Sequence, residues 1–171
     1  MTSCCLLAGA NWLLNPYLMF DSPVVKGLNQ LITENYYKQL LFKPYQLRIK
    51  KPRSIIIGAS QAGVAFNPDK LLPPAYNLAV GGSTSYLQYR LLQEALAINP
   101  ALDNVILETP FLSFNDDDPN NIPGQDASLE NRLSIQQDGR RNLLQPAYAA
   151  QEILSSLISW EVTRASWRMV L

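Results

Sequence analysis

Three short segments along the chain are rich in apolar residues. They are the isoleucine triplet at 55–57, the segment AYNLAV at 75–80 and the segment NVILET at 104–109. Continuous apolar runs of this length, rich in β-branched residues, are typical of strands that are buried on both faces of a parallel sheet. We therefore predict three buried core strands.

The segment 24–42 is predicted to form an amphipathic helix, because its apolar residues recur near a 3.6-residue period. These residues are Leu28, Leu31, Ile32, Tyr36, Leu40 and Leu41. Pro44 is expected to end the helix, since proline lacks the N–H that a helix interior requires. The basic segment QLRIKKP at 46–52 then leads into the first strand. We predict that it is solvated, with a partner-binding patch as the alternative.

Two further helices are predicted downstream. The segment STSYLQYRLLQEALAINP, closed by Pro100, has Ser85 and Gln88 at the spacing of a capping box. The segment 147–169 is predicted to form one packed helix with an apolar stripe. The stripe consists of Leu154, Leu157, Ile158, Val162, Ala165 and Met169, and the residues largely off it are Ser155, Ser159, Thr163 and Ser166.

The order of these elements predicts the fold class. Strands that alternate with helical segments are the signature of an α/β fold with parallel pairing. A length of 171 residues agrees with one domain or with one domain and an appendage. We predict an apolar leader over 1–23 and an α/β domain over 24–171.

The leader MTSCCLLAGANWLLNPYLMF has two interpretations. It offers about a dozen apolar or small residues before Asn15, whereas a membrane span needs roughly 20. One interpretation is an apolar segment that packs on the domain. The other is a shortened membrane anchor or signal, because Trp12 and Tyr17 bracket the apolar run as aromatic residues do at a membrane interface.

Composition excludes several functional classes. The 14 Lys and Arg residues balance 14 Asp and Glu residues, so no basic field remains for a nucleic acid. Cys4 and Cys5 are adjacent, which favours neither a disulfide framework nor a zinc site. The acidic triplet after Asn115 lacks the Gly and the terminal Glu of a calcium loop, so we predict a solvated turn there. That triplet consists of Asp116, Asp117 and Asp118. We expect no metal and no cofactor.

Ser60 and Gly82 both lie just beyond the carboxyl end of a predicted strand. Ligands of parallel sheets bind at this edge, where the chain turns into helices. The neighbours of Ser60 are small, so its hydroxyl and backbone N–H are able to face a substrate. These neighbours are Gly58, Ala59, Ala62 and Gly63. Gly82 is placed to provide a second backbone N–H, as in an oxyanion hole.

The blocks IIIGAS, YNLAVGGSTSYLQYRLLQEAL and NVILE resemble the first half of the SGNH (GDSL-type) hydrolase superfamily. The likeness is greatest to its membrane-anchored, extracytoplasmic members related to alginate O-acetylation and D-alanine transfer. The resemblance implies a flavodoxin-like three-layer α/β/α sandwich of parallel strands, here incomplete. It also implies that Ser60 is the nucleophile, that Gly82 is an oxyanion-hole donor and that the location is the cell envelope. An acylated glycan or another small ester would be the substrate.

Several positions depart from the family pattern. Ala59 stands where the Gly-Asp-Ser motif has its acid, and Pro110 and Phe111 stand where an asparagine is expected, with Asn115 several residues late. The Asp-x-x-His block is missing, since the sequence contains no histidine. No carboxylate is placed by its spacing as a substitute base. We therefore expect a truncated, inactive form of a serine-dependent acyl-ester hydrolase or acyltransferase.

Other functions remain open at this point. One is a noncatalytic envelope-assembly protein that binds a glycan or a partner in the same pocket. A nucleotide-binding module is disfavoured, because GASQAG lacks the Lys-Ser/Thr of a phosphate loop. Ser60 alone is also explained as part of a tight turn. A sheet of three strands leaves an unpaired edge, so we expect self-association.

Overall fold

The computed structural model describes residues 2–17, 19–20, 22–26, 28–29, 39–109 and 127–170. The chain divides into two compact units. The terminal unit comprises Met1–Asn35 and Leu144–Leu171, and the sheet unit comprises Tyr36–Leu143. This partition groups the last helical segments with the start of the chain, and the division at residue 23 stays a prediction.

The described helices have the following bounds. They are α1 (Thr2–Leu14), α2 (Gln39–Lys50), α3 (Ser60–Ala65), α4 (Ser85–Ile98), α5 (Ala127–Arg132), α6 (Gln145–Leu157) and α7 (Trp160–Val170), with a short 3-10 helix at Pro68–Lys70. None of the described helices is long and apolar enough to cross a membrane.

The sheet unit contains a parallel three-stranded sheet. Its strands are β1 (Ser54–Ile57), β2 (Ala75–Asn77) and β3 (Asn104–Leu107), in the order β2-β1-β3. All four residues of β1 are buried, because this strand lies in the centre with a neighbour on each side. The predicted α/β class with parallel strands is confirmed.

The prediction that β3 is buried is wrong. Three of its four residues are exposed, and the side chains of Val105 and Leu107 are 42% and 50% exposed. Among the described residues, β3 pairs only with β1 and lies at the edge of the sheet. The apolar composition of a strand therefore did not indicate its position in the sheet. β2 is also shorter than predicted, although the three residues that follow it, Leu78, Ala79 and Val80, are buried.

The predictions around Pro44 are also wrong. The described residues at 24–26 and 28–29 are not helical, and 30–38 lie outside the described residues. Helix α2 begins at Gln39 and continues through Pro44 to Lys50. Burial of its apolar residues around the proline offsets the hydrogen bond that proline cannot donate. These apolar residues are Phe42, Tyr45 and Leu47.

The segment 46–52 is not a solvated approach to the strand. Gln46 and Leu47 are buried in the second half of α2. The Tyr76 hydroxyl of β2 donates a hydrogen bond to Gln46 Oε1 at 2.5 Å. Lys50 Nζ lies 4.9 Å from the centre of the Tyr76 ring, a cation–π contact. Residues 46–50 of this segment thus belong to a helix that packs against the strand.

The N-cap of helix α4 lies one residue before the predicted cap, Ser85. Thr84 is the N-cap, and its hydroxyl accepts a hydrogen bond from the Leu87 N–H at 3.2 Å. The capping-box spacing of Ser85 and Gln88 therefore indicated the helix but not its cap. Gln88 instead donates to the Ser83 hydroxyl at 3.3 Å.

Helix α4 also carries two buried charges that join it to the segment 130–136. The Arg90 guanidinium, 1% exposed, donates to both carboxylate oxygens of Glu130 at 2.9 and 2.7 Å. Burial lowers the pKa of Arg90, but the hydrogen bonds and charge of Glu130 outweigh burial and leave that pKa raised. Glu94 accepts from Arg48 at 2.7 Å and from the N–H and hydroxyl of Ser134 at 2.7 and 2.8 Å.

The Tyr86 hydroxyl donates a hydrogen bond to the same Glu130 carboxylate at 3.1 Å. Burial, followed by the negative charge of Glu130, raises the pKa of Tyr86. The Glu130 carboxylate of α5 thus links two residues of α4, Tyr86 and Arg90, to α5.

In the terminal unit, the predicted single helix over 147–169 is two helices, α6 and α7, separated at Ile158 and Ser159. The predicted stripe is only partly correct. Val162 and Ala165 are buried, but Leu154 and Ile158 are more than half exposed. Thr163, Ser166 and Ser156 are buried instead, although the pattern placed Thr163 and Ser166 off the stripe.

The buried polar residues of α7 face Asn11 of α1. Asn11 Nδ2 donates to the Leu157 carbonyl at 2.8 Å and to Thr163 Oγ1 at 3.0 Å. The Ser166 hydroxyl donates to Asn11 Oδ1 at 3.3 Å. Because a buried polar group is costly without a partner, these bonds specify how α1 pairs with the C-terminal helices.

Candidate functional site at the carboxyl end of the sheet

Ser60 is the first residue of α3 and follows the central strand β1 after only two residues, Gly58 and Ala59. Its side chain is exposed, and no residue that the structure describes hydrogen bonds to its hydroxyl. Ala59 is the N-cap of α3 in an extended conformation and provides no side-chain cap. The hydroxyl therefore lies at the edge of the sheet where ligands of parallel sheets bind.

Gly82 lies in the turn between β2 and α4 and is exposed. Its φ of +70° belongs to the left-handed region, which side chains other than glycine rarely adopt. The preceding Gly81 N–H donates to Gln39 Oε1 at 2.8 Å. Helix α2 therefore helps to hold this turn.

Two hydrogen bonds connect the turn of Ser60 to the turn of Gly82. The carbonyl oxygen of Gly58 accepts from the Val80 N–H at 2.9 Å and from the Ser83 hydroxyl at 2.8 Å. Ser83 is buried. Gly58 lies two residues before Ser60, and Val80 and Ser83 flank Gly82. We call this pair of bonds the Gly58 clamp. The two residues singled out from the sequence therefore lie on turns that are bonded together.

A buried lysine holds the strand that leads to Gly82. Lys43 of α2 donates to the Asn77 carbonyl at 3.1 Å and to the Ala79 carbonyl. The Asn77 side chain in turn donates to the carbonyls of Ala62 and Phe66 at 2.9 and 3.1 Å, at the end of α3. The end of β2 is therefore bonded both to α2 and to the helix that Ser60 begins.

Glu108 is the residue of this site that sequence reasoning missed. It directly follows β3, and its Oε2 accepts from the backbone N–H groups of Ala59 and Ala62 at 2.6 and 3.1 Å. Spacing along the chain assigns no carboxylate to the serine turn, whereas the structure places one there. One signal was available, because Glu108 follows the third strand just as Ser60 and Gly82 follow the first two, and carboxyl ends of parallel strands share one edge.

Gly58 is required where Glu108 packs on the turn. A Cβ at this position would lie 2.5 Å from Ala62 Cβ and 2.6 Å from Glu108 Cβ, far inside van der Waals contact. The glycine thus allows the carboxylate to reach the start of α3. Strand end, glycine and carboxylate form one packed unit beside Ser60.

The other residues considered in the sequence analysis are outside the described part of the chain or belong to the terminal unit. Pro110, Phe111, Asn115 and the acidic triplet lie outside the described residues. Cys4 and Cys5 are exposed thiols of the terminal unit. Among the described residues, no group of three or more Cys, Asp or Glu side chains is arranged to hold a metal ion.

Comparison of the chain with protein-family models, with curated proteins and with solved structures finds no match. The resemblance to SGNH hydrolases therefore stays a prediction that depends on the motif residues alone.

Proposed function

We propose that the sheet unit is an SGNH-like domain whose Ser60 turn binds an acyl ester, with Ser60 at the nucleophile position and Gly82 at an oxyanion-hole position. The fold proposed with it is an incomplete, flavodoxin-like three-layer α/β/α sandwich. The Gly58 clamp is the observation that carries this proposal, because it joins the exposed hydroxyl to the turn of the expected oxyanion donor. The substrate would be an acylated glycan or another small ester, in hydrolysis or in acyl transfer.

The chemistry that this chain contributes would be attack on the ester carbonyl and stabilisation of the resulting oxyanion. A serine hydroxyl needs a base to take its proton, and the sequence contains no histidine. Loss of that base costs roughly 10⁴ to 10⁶ in rate in well-studied serine enzymes. We therefore expect no measurable esterase turnover by this chain and negligible fluorophosphonate labelling of Ser60.

A cysteine at position 60 tests the site without the missing base. A free thiol has a pKa of about 8.5, so it ionises without an imidazole. In a background with Cys4 and Cys5 changed to Ser, we compare Ser60→Cys with Ser155→Cys, an exposed position on α6. For each thiol, the rate of acylation by p-nitrophenyl acetate is divided by its rate of alkylation by iodoacetamide, which corrects for intrinsic reactivity.

We expect this ratio to be at least roughly tenfold higher at position 60, because one oxyanion donor contributes about 10² to 10³ in rate. Acylation is read by intact mass, and circular dichroism verifies that both variants fold. Equal ratios at the two positions would mean that the turn gives an ester no help, and the proposal would then fail.

A second candidate function is favoured by Glu108. Its carboxylate already occupies two backbone N–H groups at the start of α3, which places a negative charge on the turn that an oxyanion would have to approach. A noncatalytic role in envelope assembly, with a glycan or a partner bound at the same turn, agrees with this arrangement. In the Ser60→Cys background, Glu108→Gln should raise the acylation ratio if the turn handles esters and leave it unchanged if the role is binding alone.

The proposed location is the cell envelope, with membrane association through the leader. Support comes from the resemblance to anchored family members and from the apolar residues of α1. Leu6 and Trp12 of this helix are exposed, as expected of residues that meet an apolar environment outside the chain.

A further inference from the structure

The terminal unit contains an apolar cleft between α1 and α7, and none of the residues of the proposed ester site lines it. Its volume is about 450 Å³, within the range of roughly 300–1,000 Å³ that is typical of small-molecule sites. The residues that line it are Leu6, Leu7, Ala10, Asn11, Leu14, Thr163, Ser166 and Trp167.

The polar residues of this lining are bonded to one another or to the backbone. Asn11 donates to Thr163 and accepts from Ser166. The Thr163 hydroxyl also donates to the Ser159 carbonyl at 3.0 Å, and the single Ser166 O–H is shared between Asn11 Oδ1 and the Val162 carbonyl, which is nearer at 2.9 Å. None of the described lining residues carries a charge. The surface of the cleft therefore consists mainly of apolar atoms, and few of its hydrogen-bonding groups are left for a ligand.

Large apolar side chains line the cleft and remain in contact with water. Leu6 is 75% exposed and Trp167 is 61% exposed. A ligand in the cleft would remove part of this surface from water, and burial of apolar surface is the main driving force for association. The site thus favours a ligand that is itself apolar.

The volume also decides between kinds of apolar ligand. A helix with its side chains is about 10–12 Å across and rises 5.4 Å per turn, so one turn fills roughly 420–610 Å³. A cleft of about 450 Å³ therefore accommodates about one turn, which is too little to hold a partner helix. A single unbranched hydrocarbon chain is much thinner than a helix, so it fits between α1 and α7 within this volume.

We propose that the cleft between α1 and α7 binds the hydrocarbon chain of a single free amphiphile, such as a medium-chain fatty alcohol or fatty acid. The polar head stays in water, because no described charge lines the cleft. This proposal depends only on the terminal unit and is independent of the role of Ser60.

Trp167 reports directly on occupancy. In the variant Trp12→Phe/Trp160→Phe it is the remaining tryptophan of the three in the sequence. We expect 11-bromoundecanoate, kept below its micelle concentration, to quench this tryptophan saturably, and 1-decanol to reverse the quenching. Affinity along the series octanol, nonanol, decanol should rise by up to about fourfold per methylene, the increment expected for a buried CH₂.

Ala10→Phe fills the cleft and should abolish the saturable quenching. Cys5→Phe adds the same ring at an exposed position of α1 outside the lining and should leave it intact. Equal quenching in both variants would overturn the proposal. A second outcome would also overturn the proposal. In it, vesicles of brominated phosphatidylcholine quench Trp167 strongly, Ala10→Phe does not weaken that quenching, and the free amphiphile does not quench. This face would then bind a bilayer surface.

The wild-type chain provides a second readout if the tryptophan variant fails to fold. Decanol should raise its thermal midpoint, since a ligand that binds only the native state stabilises that state. Ala10→Phe should lose this rise and Cys5→Phe should keep it. A wild-type midpoint that decanol leaves unchanged would contradict the proposal.

Discussion

Gly82 and Gly63 differ in what their backbones require. Gly82 has a φ of +70°, whereas Gly63 lies inside α3 and its N–H donates to the Ala59 carbonyl. In the described part of the chain, an added Cβ at either position meets no heavy atom within 4 Å. Any difference between alanine substitutions at these two positions therefore comes from the backbone rather than from packing.

We predict that Gly82→Ala lowers the free energy of unfolding by about 1–2 kcal/mol, the cost of a left-handed conformation for an L-residue. Gly63→Ala, the matched control, should raise it by up to about 0.5–1 kcal/mol, because alanine loses less entropy in a helix. Urea unfolding followed by circular dichroism measures both values. A destabilisation of equal size in the two variants would contradict this account of Gly82.

At the scale of elements, hydrogen bonds between distant segments determine the pairing of helices. Asn11 of α1 and Thr163 of α7 are separated by 152 residues, and their side chains are bonded at 3.0 Å. In the sheet unit, Arg90 and Glu130 connect α4 to a segment 40 residues away. Asn11, Thr163 and the Arg90 guanidinium are polar groups that are buried, so each requires its partner.

We predict that Asn11→Ala destabilises the protein by about 2–3 kcal/mol, because Thr163, Ser166 and the Leu157 carbonyl lose a buried partner. Gln151→Ala, at an exposed position of α6, is the control and should stay within about 0.5 kcal/mol of wild type. Urea unfolding monitored by tryptophan fluorescence gives both values. If Asn11→Ala costs no more than the control, the amide does not hold the helices together.

At the scale of the whole molecule, the edge of the sheet is the feature with the largest expected effect. β3 pairs with β1 on one side, and no other described strand covers its other side. An exposed strand edge with apolar side chains invites pairing with a second chain. Val105 and Leu107 are such side chains.

We predict that the wild-type chain self-associates and that Val105→Lys reduces this association, because a charge on an edge strand opposes pairing. Val64→Lys changes another exposed valine, which lies on the helix α3 rather than on an edge strand, and should leave association unchanged. Sedimentation velocity over a concentration series measures the distribution of species. A wild-type chain that is monomeric at every concentration would contradict the prediction.

The sequence by itself determined the local elements with strong patterns. The isoleucine triplet predicted β1, the segment after Gly82 predicted α4, and their alternation predicted a parallel α/β sheet, all of which the structure shows. It also predicted that Ser60 and Gly82 follow strand ends. Such features depend on residues a few positions apart, so spacing along the chain is enough to reveal them.

Only the tertiary structure decided which surfaces are buried and which side chains meet. It placed Glu108 on the Ser60 turn, continued α2 through Pro44, left β3 exposed and turned Thr163 and Ser166 inward onto Asn11. The physical reason is that burial and hydrogen bonding there depend on groups about 30 to 155 residues away. The periodicity of apolar residues within one segment contains no information about those distant groups.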